Sequence, residues 1–296
     1  MAPLEHLARL DVDDIVVHVN PPQFSAVVGR IEAEVRAART LIGAWAWELD
    51  RVPAEWERSA AIVDQIWVPS EFVLEALAGS VQGTRPKIRV MGHRVEVEAQ
   101  APPGPERRLE ARRRLGLPPH AFVVLTSFSF FSTLARKNPQ AAIAAFRRAF
   151  PEEDTGVLHV VRCLDVEGYP PGLEVLRAAK GGDPRVSIVE VNARNSSIDD
   201  HYAAADAYLS LHRSEGFGLN LAEALHLGLP VIATDWGLAR SLAEHPGLHA
   251  VRSRLVPVAD PQHVYDRVPG ARWADPDIEH AAGLLRAVRA RQSQSP

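Results

Sequence analysis

The sequence predicts an α/β fold of two domains, each built on a parallel sheet. Short apolar runs rich in β-forming residues alternate with longer segments of helical periodicity, which is typical of parallel βα units rather than of a β-sandwich. Ala, Pro and Gly crowd together at residues 97–106, and this composition indicates a linker between two domains. The strands after the linker are apolar almost throughout, as in a parallel sheet that is covered on both faces.

The N-terminal domain is predicted to span residues 1–100. Ser70 follows Pro69, and we expect its side chain to cap a helix that runs to about Ala78. The strands expected in this domain lie at residues 15–19, 41–45, 65–68 and 88–91.

The C-terminal domain is predicted to span residues 106–277 and to be doubly wound, with its ligands at the carboxyl ends of the strands. It opens on the basic stretch 107–114, which we interpret as a solvated helix, and an amphipathic helix follows at 139–150. A last helix, at about 278–291 within residues 278–296, is expected to pack back on the N-terminal domain. The strands expected here lie at residues 122–127, 157–162, 186–191, 207–211 and 231–234.

Composition narrows the range of functions. The net charge of −4 leaves no basic footprint for nucleic acid. Cys163 is the only cysteine, so an internal disulfide framework and a zinc–thiolate cluster are both excluded. The opening segment lacks the pattern of a signal peptide, and no apolar run approaches the roughly 20 residues needed to span a bilayer. We therefore expect a cytoplasmic protein, and we leave peripheral membrane contact and the oligomeric state open.

The most informative segment is SEGFGLNLAEALHLGLPVIATDWG, at residues 214–237. A Glu-Gly-Phe-Gly turn follows a strand and opens a helix, and Gly228 with Pro230 closes that helix before the next strand. Gly216 and Gly218 would let backbone amides approach a ligand closely, with Phe217 and Leu219 beside them. Because a helix N-terminus offers free N–H groups and a positive dipole end, this turn predicts a phosphate-binding site.

Two carboxylates belong to the same segment. Glu215 lies in the turn and Glu223 lies two turns into the helix, so both could accept hydrogen bonds from sugar or ribose hydroxyls. The alternative is an ordinary charge at the start of the helix and a residue of its polar face. Glu223, however, stands among apolar residues, where a charge without a partner is costly. This setting favours ligand contact.

The segment resembles the retaining glycosyltransferases of family 4, which have the GT-B fold of two Rossmann-like domains facing a cleft. The resemblance implies that Glu215 contacts the transferred sugar and Glu223 the nucleotide ribose. FSFFSTLARKNPQAAIAAFRRAF, at residues 128–150, looks like the family's first strand–loop–helix of the C-terminal domain. Carried over, Arg136 and Lys137 would hold the donor diphosphate. Their alternative is a solvent-facing pair, but cations at a helix start are unfavourable unless an anion is present.

Three further segments are similar to a polysaccharide-type subgroup of that family: GAWAWELDRVPAEW at 43–56, VDQIWVPSEFV at 63–73 and RWADPDIEHAA at 272–282. Trp45, Trp47 and Glu48 follow a strand and could meet an acceptor, although the two tryptophans could equally be core residues. Asn192 falls where the family usually meets the donor base. His18 follows the first strand, where a structural role is favoured and ligand contact is the alternative.

The N-terminal domain departs from the family pattern because the usual strand, glycine-rich loop and helix at its start have no counterpart. We therefore expect this domain to be short or truncated. Asp11 and Asp13 form an Asp-x-Asp pattern, but it precedes a strand instead of following one, so we predict no metal site there. A dinucleotide-dependent oxidoreductase is disfavoured, since GFG lacks the third glycine of that fingerprint.

The resemblance implies metal-independent transfer of a hexose, with retention of configuration and without a cofactor. The donor would be a UDP- or GDP-linked sugar, and the acceptor a glycan, a lipid-linked molecule or a small molecule. Two alternatives stay open: a non-catalytic protein of the same fold that binds a nucleotide sugar or a partner, and a nucleotide-sugar epimerase.

Overall fold

The computed structural model describes residues 12–21, 23–31, 33–37, 39–79, 81, 87–95, 102–191 and 198–292. In this part of the chain two parallel sheets are each flanked by helices, and a two-stranded antiparallel ribbon follows the second sheet. None of the described helices combines the length and the apolar character needed to cross a bilayer.

The first sheet has four parallel strands in the order β1-β2-β3-β4. Right-handed crossovers in such an order carry their helices to the same face. Ile15 and Val17 of β1 are accordingly buried in one core, while Val16 between them is 47% exposed. The elements are β1 (Asp14–Val17), α1 (Gln23–Val28), α2 (Ala33–Ala37), β2 (Thr40–Ala44), α3 (Trp56–Ala60), β3 (Gln65–Val68), α4 (Glu71–Ala78) and β4 (Lys87–Val90).

The second sheet has six parallel strands in the order β10-β9-β8-β5-β6-β7. Its strands are β5 (Phe122–Ser129), β6 (Val157–Leu164), β7 (Val186–Val191), β8 (Ala207–Ser210), β9 (Val231–Thr234) and β10 (Leu248–Val251). Its helices are α5 (Pro105–Arg114), α6 (Leu134–Lys137), α7 (Pro139–Ala149), α8 (Pro171–Lys180), α9 (Asp199–Ala204), α10 (Leu219–His226) and α11 (Arg240–Ala243). The strand order reverses between β5 and β8, and ligands bind at such a reversal in open α/β sheets.

The chain ends on a ribbon and a helix: β11 (Ser253–Pro257), β12 (Arg272–Pro276) and α12 (Ile278–Gln292). The prediction that this helix packs back on the first domain is wrong. Ala281, Ala282 and Leu285 belong to the core of the second sheet together with Phe146 of α7. The apolar face of α12 is therefore satisfied within its own domain.

The basic stretch 107–114 is helical, as predicted, but it is not simply solvated. Arg112 is 4% exposed, and its Nη2 lies 2.6 Å from Oδ2 of Asp206. Arg107 pairs with Asp200 and Arg108 with the other oxygen of Asp206. These ion pairs fasten α5 to α9 and to the residue just before β8, so the basic residues anchor the start of the second domain.

Candidate functional site

A cleft of about 270 Å³ opens at the carboxyl ends of β5 and β8, where the strand order reverses. Thr126 and Ser127 of β5 and Ser210 of β8 form part of its floor. The first domain contributes a second wall: Ala46, Trp47, Glu48, Pro69 and His93. The cleft therefore lies both at the ligand-binding edge of the second sheet and between the two domains.

The turn before α10 enters this cleft and depends on two glycines. Gly218 has φ +99°, a left-handed conformation that side-chain-bearing residues rarely adopt, and it precedes the first residue of the helix. A Cβ on Gly216 would lie 2.3 Å from the carbonyl oxygen of Trp47 in the other domain. Phe217 and Leu219 line the cleft beside them. The turn thus brings backbone amides and the N-terminus of α10 to the cleft.

Glu215 is the acidic centre of the site. Its side chain is 10% exposed, and it forms an ion pair with Lys137 while its second oxygen lies 3.6 Å from Nη1 of Arg136. Burial raises the pKa of Glu215, but the two cations, with a smaller contribution from His212, outweigh burial and lower it to about 2. Glu215 is therefore ionised at neutral pH.

Lys137 and Arg136 are brought to Glu215 by a strained loop. Thr133 has φ +57° and ψ +131°, which is costly for a β-branched residue, and its hydroxyl accepts a hydrogen bond from the N–H of Arg136. Asn138 is left-handed and donates its amide to the carbonyl of Leu211, 2.9 Å away. Strain held in place by such contacts is typical of functional sites.

The two cations differ in what they can still bind. Arg136 is 4% exposed, and its guanidinium donates to the carbonyls of Ser132 and Ser214, each 3.1 Å away. Burial alone would lower its pKa, but Glu48, Tyr265 and Glu215 hold that pKa above its usual value. Lys137 is 20% exposed at the side chain, and its one carboxylate partner within the described ranges is Glu215. Of the two, Lys137 is the more accessible to an anionic ligand.

Glu223 lies on α10 one turn beyond the residues that line the cleft, and it is half-buried. Its Oε2 accepts a hydrogen bond of 2.7 Å from the hydroxyl of Tyr202 on α9. Burial raises the pKa of this carboxyl group, and the hydrogen bond opposes the rise. Glu215 and Glu223 are therefore held by different partners, one by cations and the other by a phenol.

Residues 124–269 match the model of a protein family described as "Glycosyl transferases group 1". A D-inositol 3-phosphate glycosyltransferase of Corynebacterium glutamicum (strain R) is 28% identical over 222 residues, which make up 71% of this chain and 51% of that protein. The chain thus spans about half the length of this curated relative.

Two solved structures share the architecture. A glycosyltransferase from Rickettsia africae ESF-5 superimposes with a TM-score of 0.70 at 14% identity, over 97% of this chain and 69% of that chain. The Anabaena protein Alr3699/HepE, in complex with UDP and glucose, gives a TM-score of 0.65 at 19% identity, over 95% of this chain and 69% of that chain. The chain has the GT-B fold. Identities this low establish the fold alone.

Within this GT-B cleft the residues predicted from the first domain have different positions. Trp47 and Glu48 line the cleft, and the carboxylate of Glu48 lies 3.9 Å from Arg136. Trp45 is 1% exposed and packs edge-on against Phe24, with ring centroids 5.3 Å apart. Of the two alternatives left open for Trp45, acceptor contact is wrong and the core position is correct, because its indole is enclosed in the core of the first domain.

His18 is exposed, and its charge contributes, after burial, to lowering the pKa of His93. This exposed position among the described residues does not match the structural role that was favoured for His18. Asn192 and Asp11 lie outside the described residues. Among the residues that are described, no group of three His, Cys, Asp or Glu side chains is arranged to hold a metal ion.

The residues that join the two GT-B domains were not among those predicted from the sequence. The hydroxyl of Ser214 donates to the carbonyl of Glu48, and the hydroxyl of Ser70 donates to the carbonyl of Gly216. His93 reaches the cleft from the first domain, where its ring meets that of Phe217 edge-on at 5.0 Å. The sequence predicts Ser70 as a helix cap, and this is confirmed, because the N–H of Val73 donates to the hydroxyl oxygen of Ser70. The contact of Ser70 with the other domain was not predicted.

Proposed function

We propose that this protein is a glycosyltransferase that binds a nucleotide-diphosphate sugar in the GT-B cleft and transfers its sugar to an acceptor. The observation that carries the proposal is the juxtaposition of the Lys137–Glu215 ion pair with the turn that opens α10, at the strand-order reversal. This arrangement puts a cation, a row of backbone amides and a hydrogen-bond acceptor within one small cleft.

The chemistry follows from where charge develops. A departing nucleoside diphosphate gains negative charge as its bond to the sugar breaks, and preorganised donors aimed at that charge lower the barrier. In the proposal Lys137 and the amides of the turn at Gly216–Gly218 supply this stabilisation. Arg136 acts mainly by fixing Glu215 and Ser214, since its guanidinium is buried and already donates to two backbone carbonyls.

Glu215 takes the other role, accepting hydrogen bonds from hydroxyls of the transferred sugar while Lys137 turns to the diphosphate. An ionised carboxylate accepts hydrogen bonds through both oxygens. In the first domain, Glu48 accepts a hydrogen bond from a hydroxyl of the acceptor substrate. Its side chain is 31% exposed and lines the same cleft. The hexose donor, retention of configuration and independence of metal ions form part of the same proposal.

The test has two readouts on the same samples. UDP, GDP and their glucose and mannose derivatives are added, and the shift of the unfolding temperature is measured, because a ligand that binds only the native state stabilises it. Release of nucleoside diphosphate is then followed with and without acceptor. A shift together with turnover supports the enzyme, whereas a shift without turnover would favour a non-catalytic nucleotide-sugar-binding protein. If no nucleotide or nucleotide sugar shifts the unfolding temperature, the proposal is wrong.

Glu215→Gln tests the assigned centre. Turnover should fall by about a hundredfold or more, as for the loss of a group that stabilises a transition state. Glu153→Ala, at an exposed loop position, is the matched control and should keep wild-type turnover. Activity is measured well below the unfolding temperature of each variant, so that a change in stability does not enter the rate. Unchanged turnover in Glu215→Gln would contradict the assignment.

A further inference from the structure

Tyr202 and Glu223 form a buried hydrogen-bonded pair beside the cleft. The phenol oxygen lies 2.7 Å from Oε2 of Glu223 and 3.1 Å from the carbonyl oxygen of Asn220. A phenol has one hydrogen to donate, and the shorter contact, close to the range of O–H bonds to ionised carboxylates, assigns that hydrogen to Glu223. Tyr202 is itself wholly enclosed by its own domain. The donor therefore approaches the carboxylate from a fixed direction.

The Tyr202–Glu223 pair is connected to the floor of the cleft through α10. Asn220 and Glu223 are three positions apart on α10 and thus share a helix face. Asn220 lines the cleft and donates its amide to the carbonyl of Ser127 at 3.3 Å, and Tyr208 donates to the same oxygen at 3.1 Å. The bond from Asn220 ties α10 to the end of β5, and the bond from Tyr208 ties β8 to the same carbonyl. The carboxylate of Glu223 thereby keeps a fixed place next to the strand-order reversal.

Several charges act on Glu223. Burial raises its pKa, the hydrogen bond from Tyr202 lowers it, Asp199 raises it and Arg162 lowers it, in that order of size. The phenol is thus the largest single influence that favours the ionised form. It also occupies one of the two carboxylate oxygens and leaves the other, Oε1, without a hydrogen bond from the described part of the chain.

We propose that Tyr202 is a positioning residue, which turns the Glu223 carboxylate so that Oε1 accepts hydrogen bonds from the ribose hydroxyls of the nucleotide. The inference rests on the proposed donor site. It adds a specificity to that site: a ribonucleotide is selected over its deoxy form by a carboxylate that Tyr202 holds in place. A site built to accept a substrate hydroxyl discriminates strongly against an analogue without it, because the acceptor is then left unpaired.

The experiment measures this selectivity directly. The dissociation constants of UDP and GDP and of their 2′,3′-dideoxy forms are determined by calorimetry for the wild type and for Tyr202→Phe. We expect the ribose form to bind the wild type at least about tenfold more tightly, from the energy of one hydrogen bond to a charged group. In Tyr202→Phe the ribose form should weaken by about tenfold and the dideoxy form little, so that the two affinities converge.

Two further readouts separate positioning from a structural effect. Tyr169→Phe removes a half-buried phenol that packs on the other core of the second domain, away from the residues lining the cleft, and it should keep the wild-type ratio of the two affinities. In Tyr202→Phe the loss of ribonucleotide affinity on acidification should begin at a higher pH, because the hydrogen bond that lowers the pKa of Glu223 is gone.

The outcomes distinguish this inference from the proposed function. If neither UDP nor GDP binds the wild type, the donor site itself is refuted. If either binds and Tyr202→Phe keeps both the wild-type ratio and the wild-type pH profile, the positioning role is wrong. Should Tyr202→Phe fail to fold, Glu223→Gln provides the decision: it must bring the two affinities together, and a retained ratio overturns the inference.

Discussion

Ser214 donates its hydroxyl hydrogen to the backbone carbonyl of Glu48, although the two residues belong to different domains. A second hydrogen bond joins the same two domains, since the hydroxyl of Ser70 in the first domain donates to the carbonyl of Gly216 in the second. The loop that carries Glu215 is therefore held against the first-domain segment that carries Glu48. Both acceptors are backbone atoms, so the separation of the two acids is set by the main chain.

Ser214→Ala should lower the free energy of unfolding. The serine is buried, and its loss leaves the carbonyl of Glu48 without this donor. The cost should be about 1–2 kcal/mol, the range for an unsatisfied buried acceptor. Urea unfolding measures it, and Ser253→Ala, an exposed serine of β11, is the control and should change little. An equal effect in both variants would show that the contact between domains contributes nothing.

Gly216→Ala should disturb the contact between the two domains more than the loss of the hydroxyl of Ser70 or of Ser214. The added Cβ would lie 2.3 Å from the carbonyl oxygen of Trp47, so one backbone must move. We expect a loss of about 2 kcal/mol or more together with a smaller shift of the unfolding temperature by nucleoside diphosphates. Gly182→Ala is the matched control, because a Cβ there meets nothing within 4 Å. If Gly216→Ala behaves like Gly182→Ala, the close approach does not matter.

Much of the fold could be predicted from hydrophobic patterning. The bounds predicted for β3, β7 and β9 agree with the structure. Strands β5 and β6 run two residues further than predicted, to Ser129 and Leu164. The predicted strands stop at Ser127 and Arg162, which are polar residues. Both side chains are in fact buried, and the guanidinium of Arg162 donates to the hydroxyl of Ser127 at 3.3 Å.

The direction of one tryptophan could not be predicted. Trp45 directly follows β2, where the pattern of alternation stops and either face is open to the side chain. The indole turns inward because Gly43 leaves room for it: a Cβ at that glycine would lie 2.7 Å from the Trp45 ring. The hydrogen bonds between the domains could not be predicted either. Ser70 and Ser214 are 146 and 166 residues away from their partners along the chain, so no local sequence pattern indicates these contacts.

The acid dependence of stability should change in Glu215→Gln. The pKa of Glu215 is lowered from 4.5 to about 2, so its ionised form contributes stability above about pH 4.5 and that contribution is lost as the pH falls through about 2. Between pH 6 and pH 3 the wild type should therefore lose about 2 kcal/mol more than the variant. Urea unfolding at both pH values measures the difference. Parallel losses in the two proteins would mean that Glu215 is not held ionised by its cations.

Lys137→Met tests whether the ion pair serves stability or ligand binding. The pair is largely buried, with side-chain exposures of 20% and 10%, and removing Lys137 leaves the buried charge of Glu215 with Arg136 as its remaining ion-pair partner among the described residues. Such a change costs about 3 kcal/mol or more, whereas removing both members costs far less than the sum of the single changes.

The double variant Lys137→Met/Glu215→Gln should therefore regain much of the stability that Lys137→Met loses. It should not regain the shift of the unfolding temperature by nucleoside diphosphates, because the accessible cation of the cleft is still missing. Arg148→Met, which breaks an exposed pair with Glu279, is the control and should cost less than about 1 kcal/mol. A double variant that recovered the nucleotide response would show that Lys137 stabilises the loop and does not bind the diphosphate.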